Sequence, residues 1–106
     1  MLDVPVPKVT GDGIEGQVLR VDRFGNLITN IDHETLARFG GSRVTIAGRE
    51  IARVVSTYAD VGPLELCALI GSSGRLEIAV NGGNAAEVLT SRRGMMVLIG
   101  RSDAES

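Results

Sequence analysis

The residues best suited to hold a small molecule lie in two short runs, Asp22-Arg23-Phe24-Gly25-Asn26-Leu27-Ile28-Thr29-Asn30-Ile31 and Ser72-Ser73-Gly74-Arg75-Leu76-Glu77-Ile78-Ala79-Val80-Asn81. Each sets hydrogen-bonding side chains at a glycine turn beside an apolar strand. Loops and strand ends held by a rigid sheet are where small-molecule sites are usually built. In Phe24-Gly25-Asn26, both Gly25 and Asn26 tolerate positive φ, which favours a tight turn. The Asn26 amide offers a donor pair and an acceptor at one point. That matches the edge of a purine, and Phe24 adds a flat apolar surface for a base. The same three residues also suit a plain hairpin turn with a core Phe.

In Ser72-Ser73-Gly74, two hydroxyls and successive backbone N–H groups can form a concavity for an anion such as a carboxylate. An ordinary hairpin loop has the same composition. Glu77 stands on the polar face of an apolar strand, where Glu is disfavoured unless solvated or paired. It suits a carboxylate that receives an ammonium or a hydroxyl. It also suits an exposed edge charge or a partner for Arg75. Tyr58, the only Tyr, can stack on a base or close a barrel end. His33 has no Cys or second His beside it, so no metal site is expected. Cys67 lies in the apolar stretch Leu66-Cys67-Ala68-Leu69-Ile70 and reads as a packing residue.

These residues need a scaffold, and 106 residues fit one domain with its own core. The net charge is −2 and aromatics are 3%. That balance lacks the basic footprint and stacking platforms of nucleic-acid binders. The apolar stretches are too short to span a bilayer. The N-terminus lacks the form of a signal peptide. A lone cysteine permits no intrachain disulfide, which fits the cytoplasm.

Residues 1–13 read as a linker, punctuated by Pro5, Pro7, Gly11 and Gly13. Alternation predicts strands over Gln17–Asp22, with Leu19 and Val21 on one face, and over Leu27–Ile31. Asp32 suits the N-cap of a short helix over Glu34–Phe39, ended by Gly40 and Gly41. Arg43–Ile46 and Glu50–Tyr58 read as a hairpin, followed by strands over Leu64–Ile70, Arg75–Asn81 and Met95–Ile99. Asn84–Leu89 suits a helical turn or two, and residues 102–106 a polar tail. About seven short strands between glycine turns predict an all-β antiparallel barrel or sandwich with one or two short helices.

The two runs, with Thr57-Tyr58-Ala59-Asp60-Val61 between them, closely resemble the C-terminal domain of the S-adenosylmethionine hydroxide adenosyltransferases. These are S-adenosyl-L-methionine hydrolases that form adenosine, relatives of fluorinase and chlorinase. The resemblance runs in order from about Ile14 to Ile99. It implies a Greek-key β-barrel over residues 14–101 that follows a larger N-terminal α/β domain. In that family the site lies between the N-terminal domain of one subunit and the C-terminal domain of its neighbour in a homotrimer.

The resemblance also implies roles. Asn26 bonds the adenine edge, with Phe24 and Tyr58 packed against it and backbone groups from Val80 through Asn81 to Gly82 facing it. Ser72 and Ser73 meet the methionine carboxylate, and Asp22 or Glu77 receives the ammonium. S-adenosyl-L-methionine is then substrate, and no cofactor is implied. Halogenating relatives carry an Arg where this chain has Ser73, and an Arg-Asn-Ala run where it has Val80-Asn81-Gly82; both departures point to the hydroxide branch. The sequence contains no N-terminal α/β domain, so a catalytically inactive substrate-binding module is expected. A stand-alone nucleoside-binding module and a trimerisation barrel are the alternatives.

Overall fold

The computed structural model describes residues 4–41, 43–51, 54–57, 60–90 and 92–101. Among them the chain forms nine strands and two short helices in the order β1 (Lys8–Val9), β2 (Gly13–Val21), β3 (Leu27–Asp32), α1 (His33–Phe39), β4 (Arg43–Ile46), β5 (Arg49–Ile51), β6 (Val54–Val55), β7 (Leu66–Ile70), β8 (Arg75–Val80), α2 (Ala85–Leu89) and β9 (Met96–Gly100). The strands follow the order β5-β4-β9-β2-β3-β8-β7-β6, with β1 added beside β2. All pairs are antiparallel except β6 with β7. The path is an all-β, nearly closed barrel: its two end strands, β5 and β6, are neighbours in sequence, and β5 lies against β7. Within it β9-β2-β3-β8 has the fourth-first-second-third order of a Greek key, with β4 to β7 inserted between its second and third strands.

β2 holds the two halves together. Gly13–Gln17 pairs with β9, and the stretch from Val18 to Val21 pairs with β3. A register shift between Val18 and Arg20 marks a bulge at Leu19. The bulge corrects the predicted strand face. Before the bulge the inward residues are Ile14, Gly16 and Val18; after it Val21 lies on the side of its core partner Leu27, at the exposed end of the strand, and Leu19 in the bulge is half-buried. The core is filled by alternate residues of the strands, among them Ile14, Val18, Leu27, Val44, Leu76, Ile78, Val97 and Ile99, under Leu36 and Phe39 of α1. The opposite faces of β7 and β8 carry a second cluster of Val55, Cys67, Leu69 and Ala79.

The predicted helix starts one residue earlier than expected, with Asp32 accepting from the Thr35 amide at 2.7 Å and Gly40 closing it at φ 80°. Glu34 in its first turn and Arg38 in its last suit the helix dipole. Other boundaries moved for local reasons. The strand expected from Leu64 begins at Leu66, because Leu64 adopts φ 60° and is exposed. Of the strand expected over Glu50–Tyr58, the described residues form β5, which pairs with β4, and β6, which pairs with β7. Lys8–Val9, within the stretch read as a linker, pairs with Glu15 and Ile14 of β2.

Candidate functional site

The first run folds into the β2–β3 turn. Asp22 shapes it: one carboxylate oxygen accepts from the Phe24 and Asn26 amides at 2.9 and 3.0 Å. The Asp22 amide donates to the Asn26 carbonyl, and the Gly25 amide to the Asp22 carbonyl. Gly25 sits at φ 85°, where an added Cβ would collide with the Asn84 side chain. Asn84 caps α2, and the Ala86 amide of that helix donates to the Gly25 carbonyl at 2.9 Å. The turn is thus fixed from both sides. Asn26 is buried beneath it, while the Phe24 ring is 62% exposed. Phe24 is therefore not a core residue. The Arg23 guanidinium lies over its ring, 5.0 Å from the centroid.

The second run forms the β7–β8 turn and β8 itself. Leu76, Ile78 and Val80 join the main core, which turns Glu77 and Ala79 to the other face. Glu77 is only 8% exposed. It is not an edge charge, since β8 lies between β3 and β7, and among the described residues its side-chain donor is Ser73, not Arg75. Its carboxylate rests on Gly71, where any Cβ would collide with it. The Ser73 hydroxyl donates to it at 3.4 Å. Burial pushes the Glu77 carboxyl above its ordinary range, and the Asp22 charge pushes the same way. The Ser73 hydrogen bond and the Arg20 charge act against them. Arg20, Ile28 and Glu77 are paired in one row across β2, β3 and β8, so Glu77, Arg20 and Asp22 share a face.

Ser72 and Ser73 are exposed on the turn closed by bonds from the Gly71 amide to the Arg75 carbonyl and from the Gly74 amide to the Gly71 carbonyl. Asn81 is engaged within the fold. Its side-chain amide donates to the Val61 and Gly62 carbonyls at 3.1 and 3.3 Å. Its backbone pairs with Leu64 and Glu65, and the Val80 carbonyl accepts from Gly83. Tyr58 lies outside the described residues. The serine turn and the Asn26 turn stand at opposite ends of β8, about 17 Å apart at strand rise. One ligand touching both must lie extended along that strand.

Residues not singled out from the sequence also matter here. Thr29 donates to the Leu76 carbonyl at 2.8 Å and accepts from the Ile31 amide at 3.2 Å, spanning a register shift between β3 and β8. Asn30 accepts from the Gln17 amide at 2.8 Å and donates to the Pro5 carbonyl at 2.8 Å. Their place in the polar tail of the first run is the only signal the sequence carried. Cys67 is buried, and burial pushes its thiol up, away from the reactive thiolate.

The model of the SAM hydroxide adenosyltransferase C-terminal domain matches residues 16–98. The chain belongs to this family. It is 39% identical over 92 residues to an (R)-S-adenosyl-L-methionine hydrolase of Thermus thermophilus, covering 87% of this chain and 34% of that protein. It is 38% identical over 88 residues to one of Salinispora tropica, covering 83% and 33%. The chain therefore spans about a third of the length of the curated relatives it matches. Its fold is similar to an uncharacterized conserved protein of Thermotoga maritima, with TM-score 0.81 and 34% identity, covering 95% of this chain and 41% of that one. The matched part of this SAM hydroxide adenosyltransferase C-terminal domain contains both polar runs. No helix among its described residues is long and apolar enough to cross a membrane.

Proposed function

We propose that this chain is the substrate-binding barrel of a cytoplasmic S-adenosyl-L-methionine hydrolase. It works against an N-terminal α/β domain of a neighbouring subunit in a homotrimer. Water or hydroxide attacks the ribose C5′ as the C5′–sulfur bond breaks. The sulfur keeps the bonding electrons and becomes the neutral thioether of L-methionine. The attacking oxygen loses a proton and becomes the 5′-hydroxyl of adenosine. The sulfonium is already a good leaving group, so the demand on the protein is positioning and water activation. The barrel supplies the positioning, and the purified chain alone is expected to release no adenosine.

The observation that supports this reading is that the Asn26 turn and the serine turn stand at the two ends of β8, with Glu77 between them on the face it shares with Arg20 and Asp22. Asn26 meets the adenine edge, with Phe24 and Tyr58 against the base and the Val80–Asn81 backbone beside it. At the far end a zwitterion needs one acid and one donor. Glu77, buried with one long hydrogen bond among the described residues, suits the ammonium, with Asp22 adding negative potential. Ser73 is turned to Glu77, which leaves the Ser72 hydroxyl for the carboxylate.

The test is an NMR titration of the labelled chain with adenosine and S-adenosyl-L-methionine at millimolar concentration. Shifts centred on Asn26, Tyr58, Ser72 and Glu77 are expected. A folded chain that shows none, alone or with the N-terminal part of a relative added, is a scaffold and overturns the reading. Adenosine release by the chain alone overturns the division of labour.

A further inference from the structure

We propose that Arg23 is a displaceable cover on the stacking face of Phe24, and that its displacement sets the affinity of this site for a nucleobase. The inference rests on the nucleoside reading above and adds a residue to it.

Two phenylalanine rings are described in this chain, and an arginine lies over each. The pairs differ in what holds the arginine. Arg101 sits 4.2 Å from the centroid of the buried Phe39 ring. Its guanidinium is fixed by donating to the Phe39 carbonyl at 2.9 Å and the Gly11 carbonyl at 3.3 Å. Arg23 sits farther out, 5.0 Å from an exposed ring. Among the described residues it makes no hydrogen bond or ion pair besides that contact. The first pair is a clamp; in the second, only the ring attracts the cation.

The backbone beneath Phe24 is the fixed partner. Asp22 holds the Phe24 and Asn26 amides, and Gly25 is lodged against Asn84 and bonded from Ala86. The ring is therefore a platform carried by a braced turn, with a cation on one face that, among the described residues, only the ring holds. A base stacking on that face needs the space the guanidinium occupies. An exposed cation–π contact is weaker than base–aromatic stacking, so the exchange runs toward the base. The lost contact weakens nucleobase binding by about two- to fivefold.

The test uses the labelled chain, its R23A, F24L and doubly substituted variants, and adenosine as probe. Dispersed amide spectra confirm that each variant folds. In the free protein the Arg23 δ-methylene protons should be shifted upfield by the ring and return to ordinary values in F24L. Their absence from the ring's field overturns the proposal. R23A should bind adenosine about two- to fivefold more tightly than the parent chain. In the F24L background the same substitution should change nothing. Equal or weaker binding by R23A, while the parent chain binds, overturns the cover and leaves the nucleoside reading intact. No adenosine binding by any variant, alone or with the N-terminal part of a relative added, with the Arg23 shift present, overturns the nucleoside reading and the cover with it.

Discussion

The runs from Asp22 to Ile31 and from Ser72 to Asn81 carry similar polar side chains, but the fold uses them differently. In the first, most of the polar atoms take the place of backbone partners. Asp22 holds two amides of its own turn, Thr29 closes a break between β3 and β8, and Asn30 bonds β2 on one side and Pro5 on the other. In the second, Glu77 is buried with, among the described residues, one long hydrogen bond and a neighbouring like charge. A polar group that completes the backbone's hydrogen bonding contributes stability. A buried carboxylate without strong partners costs stability, and a ligand cation would offset that cost. The first run is mostly framework with a platform at its tip; the second carries the group waiting for a partner.

Substitutions can break this contrast. Asn30→Leu should have the largest effect, because it leaves the Gln17 N–H and the Pro5 C=O without their partner. A loss of about 3 kcal/mol in urea denaturation is expected. A loss below about 1 kcal/mol would mean that water replaces the side chain there and that the framework role is overstated. Thr29→Val keeps the shape and removes the hydroxyl that bonds Leu76 and Ile31. It should cost about 2 kcal/mol, read in the same way.

The second run should respond with the opposite sign. The folded-state pKa of Glu77 lies above its unfolded value, so the native state holds this proton more tightly than the unfolded chain. Its stability contribution is then lost as pH rises through that interval. Glu77→Gln should raise Tm on the order of a few degrees at pH 8, with the gain vanishing near about pH 4. A variant less stable than the parent at pH 8 would show that Glu77 is well satisfied and that the contrast fails. Ser73→Ala should change stability least, within about 0.5 kcal/mol. It should still move the Glu77 titration midpoint upward in a carboxyl-carbon NMR experiment, because the Ser73 bond holds that pKa down.

Much of the barrel was legible from alternation and glycine turns. The strands Arg43 to Ile46 and Arg75 to Val80 alternate apolar with other residues, Leu27 to Ile31 follows a glycine turn, and Asp32 announces its helix. The start of β2 was hidden because Gly13 and Gly16 dilute its pattern, and the bulge at Leu19 shifts its inward positions from Val18 to Val21, taking Leu19 off the face it was expected to share with Val21. The roles of Thr29 and Asn30 were not legible. Each mends a defect between strands distant in sequence, and no local pattern encodes a register shift. The burial of Glu77 was hidden for a similar reason: it depends on Gly71, across a turn, having no side chain. The structure adds partners for several of the candidate site residues: the Asn81 amide, one Asp22 oxygen and the Ser73 hydroxyl are engaged, and among the described residues an arginine lies over the exposed Phe24 ring.

The Gln17 amide has a further consequence. It is a strand N–H whose proton goes to the Asn30 side chain, and Asn30 in turn grips the N-terminal segment at Pro5. Its rate of hydrogen–deuterium exchange should therefore rise whenever that segment lifts away, while its strand neighbours stay protected. The fold contains a label-free reporter, at a single peptide group, of whether the polypeptide leading into the barrel is seated.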